Sequence, residues 1–86
     1  MKVTIYTTDY CGYCRLAKSL LQSKGIKFTE IDVTNDEKMR KKLVEITGKK
    51  TVPQIFFGEK PIGGYDNLVE LEKKGELDQF AKKPTS

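Results

Sequence analysis

Two cysteines stand three residues apart in this chain, and their spacing is the feature best suited to chemistry. Cys11 and Cys14 enclose Gly12 and Tyr13, directly after a stretch of apolar and β-branched residues. A thiolate, not a thiol, attacks disulfides, so a redox cysteine needs surroundings that favour negative charge. The first turn of a helix provides them through its unpaired N–H groups and its dipole. We therefore predict that Cys11 is the attacking thiol and that Cys14, nearly one turn further on, is the resolving thiol.

Three other uses of the cysteine pair are less well supported by the sequence. A structural disulfide is expected in exported proteins, and the residues after Met1 do not form an apolar leader. Structural zinc usually takes four protein ligands, whereas the 86 residues contain two Cys and no His. Two cysteines that were simply buried apolar residues would not need to flank a helix start. The lack of His also disfavours acyl transfer by a Cys–His pair.

Two further segments have the composition of ligand-binding loops. Thr51-Val52-Pro53 precedes a predicted strand, where proline is ordinary because it donates no ladder hydrogen bond, and base rates favour a trans bond. Gly63-Gly64-Tyr65-Asp66 precedes a predicted helix, where free N–H groups can hold a carboxylate. Taken alone, the second segment is more simply explained as a hairpin exit with Asp66 as the helix N-cap.

The elements that must position these residues follow from the apolar pattern. One strand has an uncertain register, because alternation from Phe28 would bury Glu30 and expose Ile31. The predicted elements are a strand over 3–6, a helix over 12–24, a strand over 26–33, a helix ending at Gly48, strands over 54–57 and 60–62, a helix after Gly64 and a short helical turn after Gly75. This order favours an α/β fold with a right-handed parallel crossover between the first two strands.

Local signals support several of these boundaries. Thr34 followed by Glu37 matches a capping box at the start of the second helix, and Gly58-Glu59 is typical of a two-residue hairpin turn. Gly25 is a plausible left-handed terminator of the first helix. The helical residues expected to face the core are Ala17, Leu20, Leu21, Met39, Leu43, Ile46, Leu68, Leu71, Leu77 and Phe80.

Length and charge limit the broad class. A chain of 86 residues predicts a single domain over 1–86, with 82–86 as a frayed tail. The net charge of +4 is a mild basic bias without a nucleic-acid-binding motif, and no apolar run is long enough to cross a bilayer. We therefore expect a cytoplasmic monomer that binds neither nucleic acid nor membranes.

The three motifs, at these separations, resemble the dithiol glutaredoxins over nearly the whole chain. The resemblance implies the thioredoxin fold: a four-stranded mixed sheet of order 2-1-3-4, covered by three main helices and a short C-terminal helix. It also implies glutathione-dependent reduction of glutathionylated proteins and protein disulfides, with Cys11 and Cys14 as the catalytic pair and glutathione as co-substrate. The glutathione-binding residues that it implies, with Pro53 cis, are Tyr13, Lys50, Thr51, Val52, Pro53, Gly64, Tyr65 and Asp66.

Two positions depart from the pattern of this family. Many relatives carry Lys where Thr8 stands and Pro where Gly12 stands. The missing Lys removes one expected contact to the glycyl carboxylate of glutathione. Glycine at the second position resembles members that share a 2Fe-2S cluster between two subunits, with Cys11 as a ligand, so a cluster carrier is one alternative. A thioredoxin-like electron donor to ribonucleotide reductase is the other.

Overall fold

A computed structural model describes residues 2–77 of the chain. The elements alternate as the sequence predicts, and four strands form one mixed sheet of order β2-β1-β3-β4. Strand β1 pairs parallel with β2 and antiparallel with β3, and β3 pairs antiparallel with β4. The elements are β1 (Val3–Thr7), α1 (Gly12–Ser23), β2 (Thr29–Asp32), α2 (Glu37–Thr47), β3 (Gln54–Phe57), β4 (Lys60–Gly63) and α3 (Tyr65–Lys73).

The core lies between the sheet and helices α1 and α3. Alternate residues of β1 and β3 are buried on this face, because side chains along a strand point to opposite sides. Helix α1 contributes Ala17 and Leu21, and α3 contributes Leu68. The cluster of buried core residues is Val3, Ile5, Ala17, Leu21, Ile26, Ile55, Phe57, Leu68 and Leu77. Burial of Leu77 agrees with the sequence prediction.

Strand β2 is shorter than predicted, and its register is now defined. Glu30 lies opposite Ile5 of β1, and its carboxylate accepts hydrogen bonds from Thr7 and Lys18. Ile31 lies opposite Tyr6 and is partly buried. The alternation read from the sequence is therefore wrong about burial: Glu30 is exposed and Ile31 is the more buried of the two. The Glu30 carboxylate lies at the edge of the sheet, where Thr7 and Lys18 satisfy it.

The predicted capping box of the second helix is wrong. Thr34 lies outside α2, where its hydroxyl accepts from the Asp9 N–H at 2.9 Å and donates to Asp32 Oδ1 at 2.6 Å. The N-cap is Asp36, whose side chain accepts from the Met39 N–H at 3.0 Å. The helix begins later because the Thr34 hydroxyl is occupied in the preceding loop and is not free to cap.

The predicted apolar face of α2 is only partly buried, whereas the predicted end of the helix is correct. Leu43 is buried, but Ile46 is 53 % exposed, so the predicted core face of this helix is too wide. The helix does end at Gly48, which has a φ of 75°. A left-handed residue at this position favours glycine, as the sequence predicted.

The N-cap of α3 also differs from the prediction. It is Gly64, whose N–H donates to Asn67 Oδ1 at 3.1 Å, and Asp66 lies within the first turn instead. The hairpin before it turns at Gly58-Glu59 as predicted, with Phe57 paired to Lys60. Among residues 2–77, no helix has the length and apolar character needed to span a bilayer. Phe80, the rest of the predicted short C-terminal helix and the tail 82–86 lie outside the described residues.

Candidate active site

Cys11 occupies the N-cap of α1, as the sequence predicts. Its backbone is extended (φ −102°, ψ 112°), and its sulfur accepts a hydrogen bond from the Cys14 N–H at 3.1 Å. The sulfur is partly exposed and lies 3.6 Å from Val52 O, within reach of a weak S–H donation. An N-cap side chain that accepts from the first helical turn is well placed to carry negative charge. These contacts fit the role of an attacking thiolate.

Cys14 has a contrasting environment inside the same helix. It is 2 % exposed, and burial together with a hydrogen bond to Cys11 raises the pKa of its thiol to about 12. The Thr8 backbone and the Lys18 charge oppose this shift. Because desolvation disfavours the thiolate, Cys14 is a neutral thiol at pH 7 in the reduced protein. It cannot compete with Cys11 for the first attack.

The loop before β3 forms the neighbouring wall of the site. The Val52–Pro53 peptide bond is cis, as the resemblance to the glutaredoxins implies. Pro53 is buried, Val52 is partly buried and Thr51 is exposed. Gln54 Nε2 donates to Lys49 O at 2.9 Å and fixes the start of this loop. The backbone carbonyl of Val52 is thereby presented to the Cys11 sulfur.

A cleft of about 340 Å³ opens beside this loop. It brings together three separate segments: the first turn of α1, the loop before β3 and the start of α3. The residues that line it are Tyr13, Lys49, Thr51, Val52, Pro53, Gly64, Tyr65, Asp66 and Asn67. All the predicted glutathione-binding residues are in this set except Lys50.

Lys50 lies away from the cleft. It lines a different depression of about 460 Å³, together with residues of α2 such as Arg40 and Lys41. Lys49 lines the cleft instead, although the sequence analysis did not single it out. Both lysines follow the left-handed Gly48 that ends α2. The sequence contained no signal that could separate them.

Asn67 is a second cleft residue that the sequence analysis missed. Its amide oxygen accepts from the Gly64 N–H, and its side chain packs against Gly63, which has a φ of 121°. A Cβ at Gly63 would clash with the Asn67 side chain, and a φ of 121° is rarely adopted by other residues, so both space and conformation favour glycine here. A polar residue three positions after an N-cap is a recognised capping signal and would have identified it.

Two aromatic rings stand at the edge of the cleft. The rings of Tyr13 and Tyr65 have centroids 6.0 Å apart and an interplanar angle of 32°. Tyr13 is 62 % exposed, so its ring is available to a ligand lying beside Cys11. Behind the site, Thr8 is buried and does not line the cleft. Its side chain therefore provides no substitute for the lysine that many relatives carry there.

Residues 2–77 contain no group of three or more His, Cys, Asp or Glu side chains arranged to hold a metal ion. Both cysteines are free thiols, and Cys11 is the more exposed of the two. Cys11 alone has the exposure that a ligand to a group shared between two subunits would need.

One reachable thiol backed by one enclosed thiol suits disulfide exchange, which needs a thiolate and no separate base. On a four-stranded mixed sheet of order 2-1-3-4, this arrangement defines a thiol-disulfide oxidoreductase of the thioredoxin fold. The comparison with known families specifies it further. The model of the glutaredoxin family matches residues 3–62, and the chain belongs to this family.

Individual relatives agree over most of the chain. A glutaredoxin of Pseudomonas aeruginosa is 49 % identical over 76 residues, which cover 88 % of this chain and 90 % of the relative. The buckwheat glutaredoxin-glutathione complex is 30 % identical with a TM-score of 0.86, covering 92 % of this chain and 74 % of that one. The holo form of glutaredoxin C1 from Populus tremula x tremuloides is 32 % identical with a TM-score of 0.86, covering 93 % of this chain and 75 % of that one.

Proposed function

We propose that the protein is a glutathione-dependent oxidoreductase that reduces glutathionylated mixed disulfides and protein disulfides. The observation that carries the proposal is the cleft lined by Val52 and by the start of α3, because the Val52 carbonyl oxygen lies 3.6 Å from the Cys11 sulfur. One structural relative, the buckwheat glutaredoxin, was solved in complex with glutathione. An extended tripeptide with carboxylates at both ends matches the size and the polarity of this cleft.

Glutathione would bind with its cysteine against the backbone of Val52, like an added strand. Its γ-glutamyl end would meet the first turn of α3, where N–H groups attract a carboxylate and Asp66 attracts the ammonium group. Its glycyl carboxylate would meet Lys49, which lines the cleft, rather than Lys50. Tyr13 would cover the sulfur atoms from the solvent side.

The reaction on a mixed disulfide takes two steps. The Cys11 thiolate attacks the glutathione sulfur, a Cys11–glutathione disulfide forms, and the substrate leaves as a thiolate that takes up a proton. A second glutathione thiolate then attacks the glutathione sulfur of this intermediate. Glutathione disulfide is released and Cys11 is restored, so each mixed disulfide consumes one reduced glutathione, and the other half of the glutathione disulfide comes from the substrate.

A protein disulfide requires the second cysteine. Cys11 attack leaves the substrate bound to Cys11 through a disulfide, and Cys14 then attacks the Cys11 sulfur. The substrate leaves with both cysteines reduced, while an internal Cys11–Cys14 disulfide remains. Two glutathione molecules reduce that disulfide in turn. This division of labour matches a partly exposed first thiol and a buried second thiol.

Turnover of a glutathionylated peptide with excess glutathione tests the proposal. We expect activity from the native chain and from Cys14→Ser, and none above background from Cys11→Ser. A native protein that turned over only with a flavoprotein thioredoxin reductase would instead support the thioredoxin-like donor.

An absorbance spectrum of protein purified without oxygen tests the 2Fe-2S alternative, because iron–sulfur bands are absent if no cluster forms. Cytoplasmic location and a monomeric state stay predictions from the sequence.

A further inference from the structure

A short polar chain lies behind the cysteine pair, and the mechanism above does not use it. Lys18 Nζ contacts both carboxylate oxygens of Glu30, at 3.2 and 3.0 Å. The hydroxyl of Thr7, a buried residue, donates to Glu30 Oε2 at 2.7 Å. This hydrogen bond is the main reason that the pKa of Glu30 is lowered, so the carboxylate stays charged. We call these three residues the Thr7–Glu30–Lys18 chain.

Lys18 places the Thr7–Glu30–Lys18 chain on the same helix face as the second cysteine. Lys18 follows Cys14 by four residues in α1, and residues at this spacing lie on the same face of a helix. Glu30 on the neighbouring strand β2 holds the ammonium group at that face. A flexible lysine is thereby fixed near a buried thiol by a carboxylate that is itself fixed to β1.

A second ion pair on the same helix provides a comparison. Lys24 and Glu72 join the end of α1 to α3, with the same Nζ–O distance of 3.0 Å. The two pairs are also similarly exposed, at 28 and 37 % for Lys18 and Glu30 against 24 and 36 % for Lys24 and Glu72. Exposed pairs of this kind contribute little to stability. What distinguishes Lys18 is its location beside Cys14.

The charge at Lys18 matters most after the first attack. While Cys11 is reduced, its hydrogen bond and its charge both keep Cys14 protonated. Once Cys11 is part of a disulfide, that negative charge is gone, and Cys14 must itself become a thiolate. The Thr8 backbone and Lys18 are the groups that favour the ionised form of Cys14. Lys18 is the cation among them.

We propose that Lys18, held by Glu30 and Thr7, is a positioning residue that stabilises the Cys14 thiolate during the resolving step. In this step Cys14 attacks Cys11, the bond between Cys11 and the substrate sulfur breaks, and the Cys11–Cys14 bond forms. The electron pair leaves on the substrate sulfur, which takes a proton from water, and the Cys14 proton has passed to solvent. The inference deepens the proposed function and rests on it.

Rapid mixing of the reduced protein with excess glutathione disulfide separates the two steps. Acid quenching and intact-mass measurement report first the Cys11–glutathione disulfide and then the internal disulfide. We expect Lys18→Met to slow only the second conversion, by roughly threefold to fivefold, as the loss of a partly exposed charge one helical turn from the thiol would do. Lys18→Arg should restore the native rate, and Lys24→Met is the matched control that should leave both steps unchanged.

Glu30→Gln provides a second, independent variant. It keeps an oxygen that can accept from Thr7 but removes the charge that fixes Lys18, so we expect a smaller slowing of the same step. Combined with Lys18→Met it should add nothing, because Glu30 acts through Lys18. Thermal unfolding of each variant establishes that the fold is retained.

Several results would overturn the inference. A native resolving rate in Lys18→Met would do so, as would an equal slowing by Lys24→Met. Equal slowing of both steps would show that α1 had been distorted and would also overturn it. If the native protein formed no Cys11–glutathione disulfide at all, the proposed function itself would fail, and this inference with it.

Discussion

The spaces in front of Cys11 and behind it differ in shape, in solvent access and in the chemistry that they allow. In front lies an open cleft of about 340 Å³, formed by loop backbone and by the start of a helix. Behind lies Cys14, which is enclosed by the core and has a pKa raised to about 12 by burial. The same residue type, three positions apart, is therefore partly exposed at one position and buried at the other, and we expect the two thiols to differ in reactivity.

The helix geometry explains the contrast. An N-cap residue precedes the first turn and can face solvent, whereas a residue three positions later returns toward the sheet after nearly one full turn. Unpaired N–H groups of the first turn then point at the first sulfur, and the core encloses the second. One helix start thus provides both an accessible nucleophile and a protected partner.

The largest expected effect is on alkylation. At pH 7.5 we expect iodoacetamide to modify Cys11 at least about a hundredfold faster than Cys14, because only the thiolate reacts and burial keeps Cys14 protonated. Peptide mass mapping of partly modified protein gives the two rates. Unfolding in guanidinium chloride is the control, since the two cysteines should then react alike. Comparable rates in the folded protein would abolish the contrast between the two sites.

The next effect concerns protein disulfides. Cys14→Ser should slow release of a protein substrate from Cys11 by roughly a hundredfold, since an attack within the molecule is replaced by an attack from solution. Trapped covalent complexes on non-reducing gels measure it. Turnover of a glutathionylated peptide by the same variant is the control and should stay within a few-fold of native. Efficient release of the protein substrate by Cys14→Ser would mean that the thiol behind Cys11 has no part in the reaction.

Stability against pH tests the burial of Cys14 directly. A thiol whose pKa is raised above the ordinary value of 9.0 to about 12 stays protonated in the folded state while the unfolded chain loses its proton. The free energy of unfolding of the reduced protein should therefore fall as the pH rises from about 9 toward 12, by up to about 1.4 kcal/mol per pH unit from this group. Below pH 9 the group should contribute no slope.

Denaturant unfolding of native protein and of Cys14→Ser isolates this contribution, because serine does not titrate in the range and the other groups are common to both. The difference between the two proteins should shrink with rising pH. A difference that is constant between pH 9 and 11 would contradict an enclosed thiol behind Cys11.

The smallest expected effect concerns the cleft in front. Lys49→Met should raise the KM for glutathione by roughly threefold, and Lys50→Met should leave it near native, because a single exposed charge contributes little and only Lys49 lines the cleft. Steady-state kinetics with a glutathionylated peptide gives both values. The substitutions remove the same charge from adjacent positions, so each serves as the control for the other. A larger effect from Lys50→Met would move the glycyl end of glutathione toward α2.

Where prediction from sequence went wrong, tertiary contacts had overridden a local signal. Thr34 reads as a helix cap, yet its hydroxyl is already bonded to the Asp9 N–H from another loop. Ile46 reads as core, yet in the described part of the chain it is 53 % exposed. Glu30 reads as buried by alternation from Phe28, yet it is exposed in the structure and bonded to Thr7 and Lys18. Each case depends on residues far away in the chain.

The sequence by itself determined the element order and the start of α1 at the cysteine pair, because periodicity and helix-start chemistry are local properties. It also predicted that these two thiols are the catalytic pair. Together with its family resemblance, it also identified most of the cleft residues. Only the tertiary structure decided that Lys49 rather than Lys50 lines the cleft, that Asn67 braces its glycine loop and that Lys18 is held beside Cys14. These facts depend on how segments far apart in the sequence approach one another in space, and no local sequence pattern encodes the distance between such segments.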